Sequence, residues 1–242
     1  MDETAVYKPE ISVDCVVFGF DGERLKVLLV QRNDSDADED LNGYNNRKLP
    51  GSIIHPTEDL DSAAYRILEE CTGLTKIYLS QFKAFGRPVR NTEADRPWME
   101  KVTRLGISRL VTVAYFALIK INNRVKQQSS QKGQTIWLNI EDYRHEHLAF
   151  DHKEIIGAAL ENIRQMVKFK PSLMFELLPK KFTMSQLRAL HDAIYQKPSD
   201  VRNFQKRMMQ LEGISALPET EVGVPHRAAR YFTYTKQTKR KG

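Results

Sequence analysis

The sequence predicts a mixed α/β domain over residues 1–168, followed over 169–242 by a smaller helical domain closed by a β-ribbon. Three observations point to this. Residues 1–165 alternate short β-branched runs with amphipathic helical patterns. Phe169-Lys170-Pro171 interrupts that texture, and shorter helices follow. Charge divides at the same place. Met166 to Gly242 hold 15 Lys and Arg against 6 Asp and Glu, a net of +9, while residues 1–165 hold 22 against 25, a net of −3. A basic C-terminal domain on a mildly acidic body suits a polyanionic partner at one end.

Composition bounds the rest. With 41% hydrophobic and 28% charged residues, the chain has enough apolar content for a core. Its longest apolar runs, such as Val111–Ile119, fall well short of a membrane span, so no membrane partner is expected. Met1–Glu10 is mostly polar and lacks an export signal, which predicts a cytoplasmic protein. Cys15 and Cys71 sit in apolar surroundings and read as reduced packing residues.

In chain order, Val13–Phe18 and Leu25–Val30 read as paired strands joined by the turn signal Asp21-Gly22. Asn33–Asn46 is polar and aperiodic, a long loop. Leu49–Ile54 is a short extended piece. From Asp59 the spacing becomes helical, with Leu60, Ala63, Ala64, Ile67, Leu68 and Cys71 on one face and Gly73 as C-cap. Ile77–Phe85, Ser108–Ile121 and Thr135–Leu138 read as strands, and Gly86–Gly106 as a second long loop. Lys153–Val167 is a second amphipathic helix.

In the C-terminal domain Thr183 is a good N-cap for a helix through Tyr195, with Leu187, Leu190 and Ile194 inward. Pro198 makes a turn, and Ser199 or Asp200 caps a helix through Glu212, stopped by Gly213. Its apolar positions are Val201, Phe204, Met208 and Leu211. Two strands follow, Ile214–Leu217 and Tyr231–Tyr234. Helix, tight turn, basic helix and ribbon form the layout of a winged helix-turn-helix. A DNA-reading helix needs an apolar face to lock it in place. It also needs a face whose Arg, Lys, Asn or Gln side chains reach phosphates and base edges. Arg202, Asn203, Lys206 and Arg207 are the candidates on the helix, and His226, Arg227 and Arg230 on the wing. The plainer reading is a solvated basic helix in a docking domain. The expected partner is double-stranded DNA, since side chains do not read the narrow major groove of A-form RNA.

Chemistry, if any, belongs around Gly51–Leu74. Glu58, Arg66, Leu68, Glu70, Gly73 and Leu74 fall where the Nudix box, G-x5-E-x7-R-E-U-x-E-E-x-G-U with U aliphatic, requires them. The first domain therefore resembles the Nudix family, which implies its mixed-sheet sandwich. The opening glycine falls on Ser52, beside Gly51, and two of the box glutamates fall on Ile67 and Cys71. Members that hydrolyse nucleoside diphosphate derivatives hold divalent ions on that helix face. An aliphatic side chain and a thiol do not replace hard oxygen ligands. The reading is a Nudix-like domain with no catalytic residue, no metal and no cofactor. Glu58, Arg66 and Glu70 alternatively brace the loop by ion pairing.

A Nudix-like domain before a winged helix resembles the Nudix-related bacterial transcriptional regulators. Ser12–Gly19, Phe150-Asp151-His152, Leu177–Thr183 and Arg202–Arg207 fit that group as well. The resemblance implies a homodimer on a partly palindromic operator, with the Nudix-like domain sensing a small-molecule effector. One branch implies an ADP-ribose-type ligand, and the arabinose-regulator branch of Bacteroidetes, whose box is also degenerate, implies a sugar such as L-arabinose. The chain looks closer to the second. Asp14, Glu58, Glu70 and Arg87 are the candidate effector-binding residues. Asp14 stands out as a carboxylate inside an apolar strand, although alternation or capping would also account for it. Asp151 and His152 read as the start of a helix, where Asp is favoured. The alternative to a regulator is a Nudix hydrolase with an appended nucleic-acid domain, and an RNA-binding relative is a third option.

Overall fold

The structure, a computed structural model, describes residues 10–31, 47–88, 90, 109–131, 135–225 and 228–236. The Asn33–Asn46 loop, most of Gly86–Gly106, His226 and Arg227 lie outside the described residues.

Strand β1 (Glu10–Phe20) organises the first domain. Its C-terminal half forms the expected antiparallel hairpin with β2 (Leu25–Gln31), Phe18 opposite Val27 and Phe20 opposite Leu25. The carboxylate of Asp21 closes the turn, accepting from the Glu23 and Arg24 N–H groups at 3.0 and 2.8 Å. Gly22 supplies the positive φ of 103°. The other half of β1 pairs with β4 (Gly51–Ile53), Asp14 opposite Gly51. Along its whole length β1 runs parallel to β6 (Leu110–Lys120). The sheet continues from β6 to β5 (Ser80–Phe85), and from β2 to β3 (Arg47–Lys48) and β7 (Thr135–Asn139). A central parallel pair is covered on both faces. That explains why β1 and β6 read as nearly continuous apolar runs.

Helix α1 (Leu60–Thr72) covers one face, packing Ala63, Ala64, Ile67 and Leu68 on Val13, Cys15 and Val17. Helix α3 (His152–Phe169) covers the other, bringing Ile155, Ile156, Ala159 and Ile163 against Val16, Phe18 and Phe20. Alternate residues of β1 thus serve separate cores. One expectation shifts, and one element is added. The strand expected from Ile77 begins at Ser80, and Tyr78 is exposed. A polar helix, α2 (Asn123–Gln131), follows β6 and buries Val125. Its single inward apolar residue leaves no periodicity to detect.

The C-terminal elements follow a 3-10 turn at Pro171–Leu173. They are α4 (Met174–Leu177), β8 (Phe182–Thr183), α5 (Met184–Tyr195), α6 (Val201–Met209), β9 (Ile214–Thr220) and β10 (Arg230–Tyr234). The last two strands and β8 form a sheet in the order β8-β10-β9. This is a winged helix. Thr183 caps α5 in a full capping box: its hydroxyl accepts from Gln186 N–H, and Gln186 Oε1 accepts from Thr183 N–H. Asp200, not Ser199, caps α6, accepting from Asn203 N–H at 2.8 Å. Helix α6 ends at Met209 rather than Glu212, and Val201, placed by spacing on the apolar stripe, is exposed in its first turn.

The two domains share a core. Phe175, Leu187, Leu190, Phe204, Met208 and Phe232 belong to the same buried cluster as Phe18 and Leu25. Helix α4 packs on β6 and α5 on β2. Among the described residues no helix is long and apolar enough to cross a membrane.

Candidate effector face and nucleic-acid interface

The box helix is built as its sequence indicates. Asp59 caps it by accepting from Ser62 N–H at 2.7 Å, and Gly73, at φ 73°, ends it with its N–H on Glu69 O. What the helix displays is a brace. Arg66 donates through Nε to Glu58 Oε2 at 2.8 Å and through Nη2 to Glu58 Oε1. It also donates through Nη1 to Glu70 Oε2 at 2.9 Å and through Nη2 to Ile53 O at 3.3 Å. His55 N–H adds a bond to Glu58. The Arg66 guanidinium therefore holds the Glu58 carboxyl down at about 2.

A divalent ion, which a Nudix box implies, does not fit here. Ile67 is fully buried between α1 and the sheet. Burial pushes the Cys71 thiol up, so it offers no thiolate. Glu58 and Glu70 are both engaged by Arg66.

Asp14 lies on the opposite side of the sheet, with the even-numbered residues of β1. It is buried, and its Oδ2 stands 3.7 Å from His152 Nε2. His152 Nδ1 accepts from Leu49 N–H at 3.0 Å, which leaves the Nε2 proton facing Asp14. Burial raises the Asp14 carboxyl to about 6, with Lys48 and Arg90 opposing. The approach explains Gly51. A Cβ there would stand 1.7 Å from Asp14 Oδ1, so only glycine clears the carboxylate.

Beside this pair is a network that sequence reading missed. Arg90 clasps Asp151 through Nε and Nη2 at 2.8 and 2.7 Å. Its Nη1 donates to Phe85 O at 2.9 Å and Thr112 Oγ1 at 2.6 Å, and Thr112 shares a hydrogen bond with Ser12 at 2.7 Å. Asp151 stands at the N-cap position of α3 but makes no side-chain cap; its carboxylate belongs to Arg90. Nothing in a polar stretch with several arginines singles out Arg90. The only sequence signals were buried-type residues with polar atoms, Ser12 and Thr112, inside apolar strands.

The four effector candidates therefore separate. Glu58 and Glu70 meet on Arg66. Asp14 is buried against α3, and Arg87 is exposed and paired with Glu154, in the first turn of α3.

In the winged helix, Phe204 and Met208 are buried against the rest of the domain, while Arg202, Asn203, Lys206 and Arg207 are exposed. Arg202 and Lys206 lie one turn apart, opposite the buried stripe. Arg207 lies at the stripe's edge. Its Nη2 is 3.0 Å from His191 Nε2, and its guanidinium stands 5.8 Å from the centre of the Phe204 ring. Arg230 is exposed at the start of β10.

Against known proteins, residues 8–158 match the profile described as NUDIX domain, and residues 174–234 that described as NrtR DNA-binding winged helix domain. The chain is 26% identical over 228 residues to the ADPR responsive transcriptional repressor NtrR of Acinetobacter baylyi (strain ATCC 33305 / BD413 / ADP1), covering 92% of this chain and 81% of the relative. Among solved structures it is similar to Shewanella oneidensis NrtR complexed with a 27mer DNA, with a TM-score of 0.65 and 26% identity over 93% of each chain. A MutT/nudix family protein from Enterococcus faecalis shares the fold, with a TM-score of 0.62 at 22% identity over 97% of this chain and 90% of that one.

Proposed function

We propose that this chain, which belongs to the Nudix family and carries an NrtR-type DNA-binding winged helix behind its Nudix domain, is an ADP-ribose-responsive transcriptional repressor of bacteria. The observation that carries this is a box helix without a metal donor set, joined through a shared core to a winged helix with a basic exposed face. The Nudix domain, placed at residues 1–168, is a sensor that hydrolyses nothing. The domain from Phe169 onwards binds operator DNA as a homodimer in the cytoplasm. The relative with a named effector responds to ADP-ribose, and nothing in the comparisons supports a sugar such as L-arabinose.

Within this reading Arg202, Asn203 and Lys206 enter the major groove. Arg207, held by His191, borders it, and Arg230, with His226 and Arg227, approaches the backbone. Glu58 and Glu70, at the rim of the α1 face, are proposed effector contacts, and Arg87, paired with Glu154 on the α3 side, lies apart from them. Asp14, being buried, is a strut rather than a contact.

The test titrates labelled upstream DNA and ADP-ribose against each other, with L-arabinose as comparison. Linkage requires ADP-ribose and operator to change each other's affinity by the same factor. ADP-ribose binding unchanged by saturating operator overturns the sensor reading. Mg²⁺-dependent turnover abolished by Glu70→Gln supports the hydrolase instead.

A further inference from the structure

Between the end of α3 and the winged helix lies a groove of about 770 Å³, to which Arg207 alone of the proposed DNA-facing residues belongs. Its size falls within the range of small-molecule sites. Val167, Met174, Met208 and Leu211 give it an apolar floor. One wall carries the His191 and Tyr195 rings, with centroids 4.6 Å apart. A planar aromatic ligand would lie along this packed ring pair and over the apolar floor rather than between the rings.

The charge around this groove has one sign. Lys168, Lys197 and Arg207 line it, and among the described residues no Asp or Glu does. Nor does any carboxylate among them pair with these three cations, although Lys181 and Arg188 elsewhere in the same domain have Glu219 and Asp192. Of the acids that adjoin lining residues in sequence, Asp200 caps α6, and Asp192 accepts from Ser199 N–H at 3.1 Å and faces His191 Nδ1 at 3.3 Å. That contact fixes His191 Nε2 as the acceptor for Arg207, and burial pushes the imidazole down, so it remains neutral. Arg207 is thus turned towards the groove rather than out along the exposed face of α6.

We propose that this groove binds a small aromatic anion, its rings against His191, Tyr195 and the methionines and its charge among Lys168, Lys197 and Arg207. The site lies across the sheet from α1, so the proposal stands independently of the ADP-ribose reading.

The experiment uses the full chain labelled with ¹³C-methyl methionine, in which Met174 and Met208 report from the groove. The probes are 2-naphthoate and its neutral counterpart 2-naphthalenemethanol. The expected result is saturable movement of the Met174 and Met208 signals with naphthoate, at least about tenfold tighter than with the alcohol. The double variant Lys168→Gln/Lys197→Gln, both exposed side chains, should bring the two affinities close together while leaving the spectrum of the free protein folded. No saturable shift at Met174 and Met208, equal binding of acid and alcohol by the parent, or an undiminished preference in the double variant overturns the proposal.

Discussion

The two faces of the central sheet contain similar apolar residues and treat polarity in opposite ways. On the α1 face, where a Nudix box would gather carboxylates around a metal, position 67 is sealed as isoleucine and the remaining box charges close on one another through Arg66. On the α3 face a carboxylate, an imidazole and an Arg–Asp pair are buried together, and the same core continues into the winged helix. The difference shows where each face can change. The α1 brace is at the rim, where water can replace it. The α3 network is inside, where each group depends on its partners. A signal between the domains has a physical carrier on the α3 face, because α4 and α5 rest directly on β6 and β2.

The largest expected effect comes from restoring the box. Ile67→Glu would place a carboxylate at a fully buried position and should destabilise the fold by at least about 3 kcal/mol in urea denaturation. A folded variant that gains Mg²⁺ affinity would break the contrast between the faces. Next, Arg90→Met removes a buried guanidinium and leaves the largely enclosed Asp151 without its partner, and should cost about 3–5 kcal/mol. Arg66→Met, at the rim, should cost about 1 kcal/mol or less. Equal losses would show that the two networks are not energetically distinct.

Asp14 gives a smaller, pH-dependent effect. Its folded-state value of about 6 lies above its unfolded value, so the native state holds the proton more tightly. The stability this confers is complete below about pH 4 and is lost as pH rises through about 6. Asp14→Asn should therefore gain on the parent by on the order of 2 kcal/mol between pH 4 and 8. Parallel stability curves for the two proteins would refute this. Smallest is Lys206→Ala, which should leave stability unchanged and lower the salt slope of DNA binding by roughly one unit if it meets a phosphate. An unchanged slope would remove Lys206 from the interface.

Much of the fold was legible because its signals are local. Asp21-Gly22 between two β-branched runs, the α1 stripe ended by Gly73, and Thr183 as an N-cap each draw on residues of one short stretch of chain. The Glu58–Arg66–Glu70 brace was legible for the same reason, since all three belong to one helix and its entry loop. The Arg90–Asp151 clasp was not, because 61 residues separate its partners and neither has a distinctive neighbourhood. Val201 shows the reverse error. Periodicity put it on the apolar stripe, but the first turn of α6 projects beyond the core.

By itself the sequence determined the order of the main strands and helices, the polar α2 excepted, the caps of α1, α5 and α6, the missing box carboxylates and the basic character of the last domain. All of these depend on residue type and short-range spacing. Tertiary structure decided which face of β1 received Asp14, why Gly51 must be glycine, and that both domains close on one core. Those outcomes depend on burial against partners distant in the chain, and the cost of burying a charge is set only when its neighbours are in place.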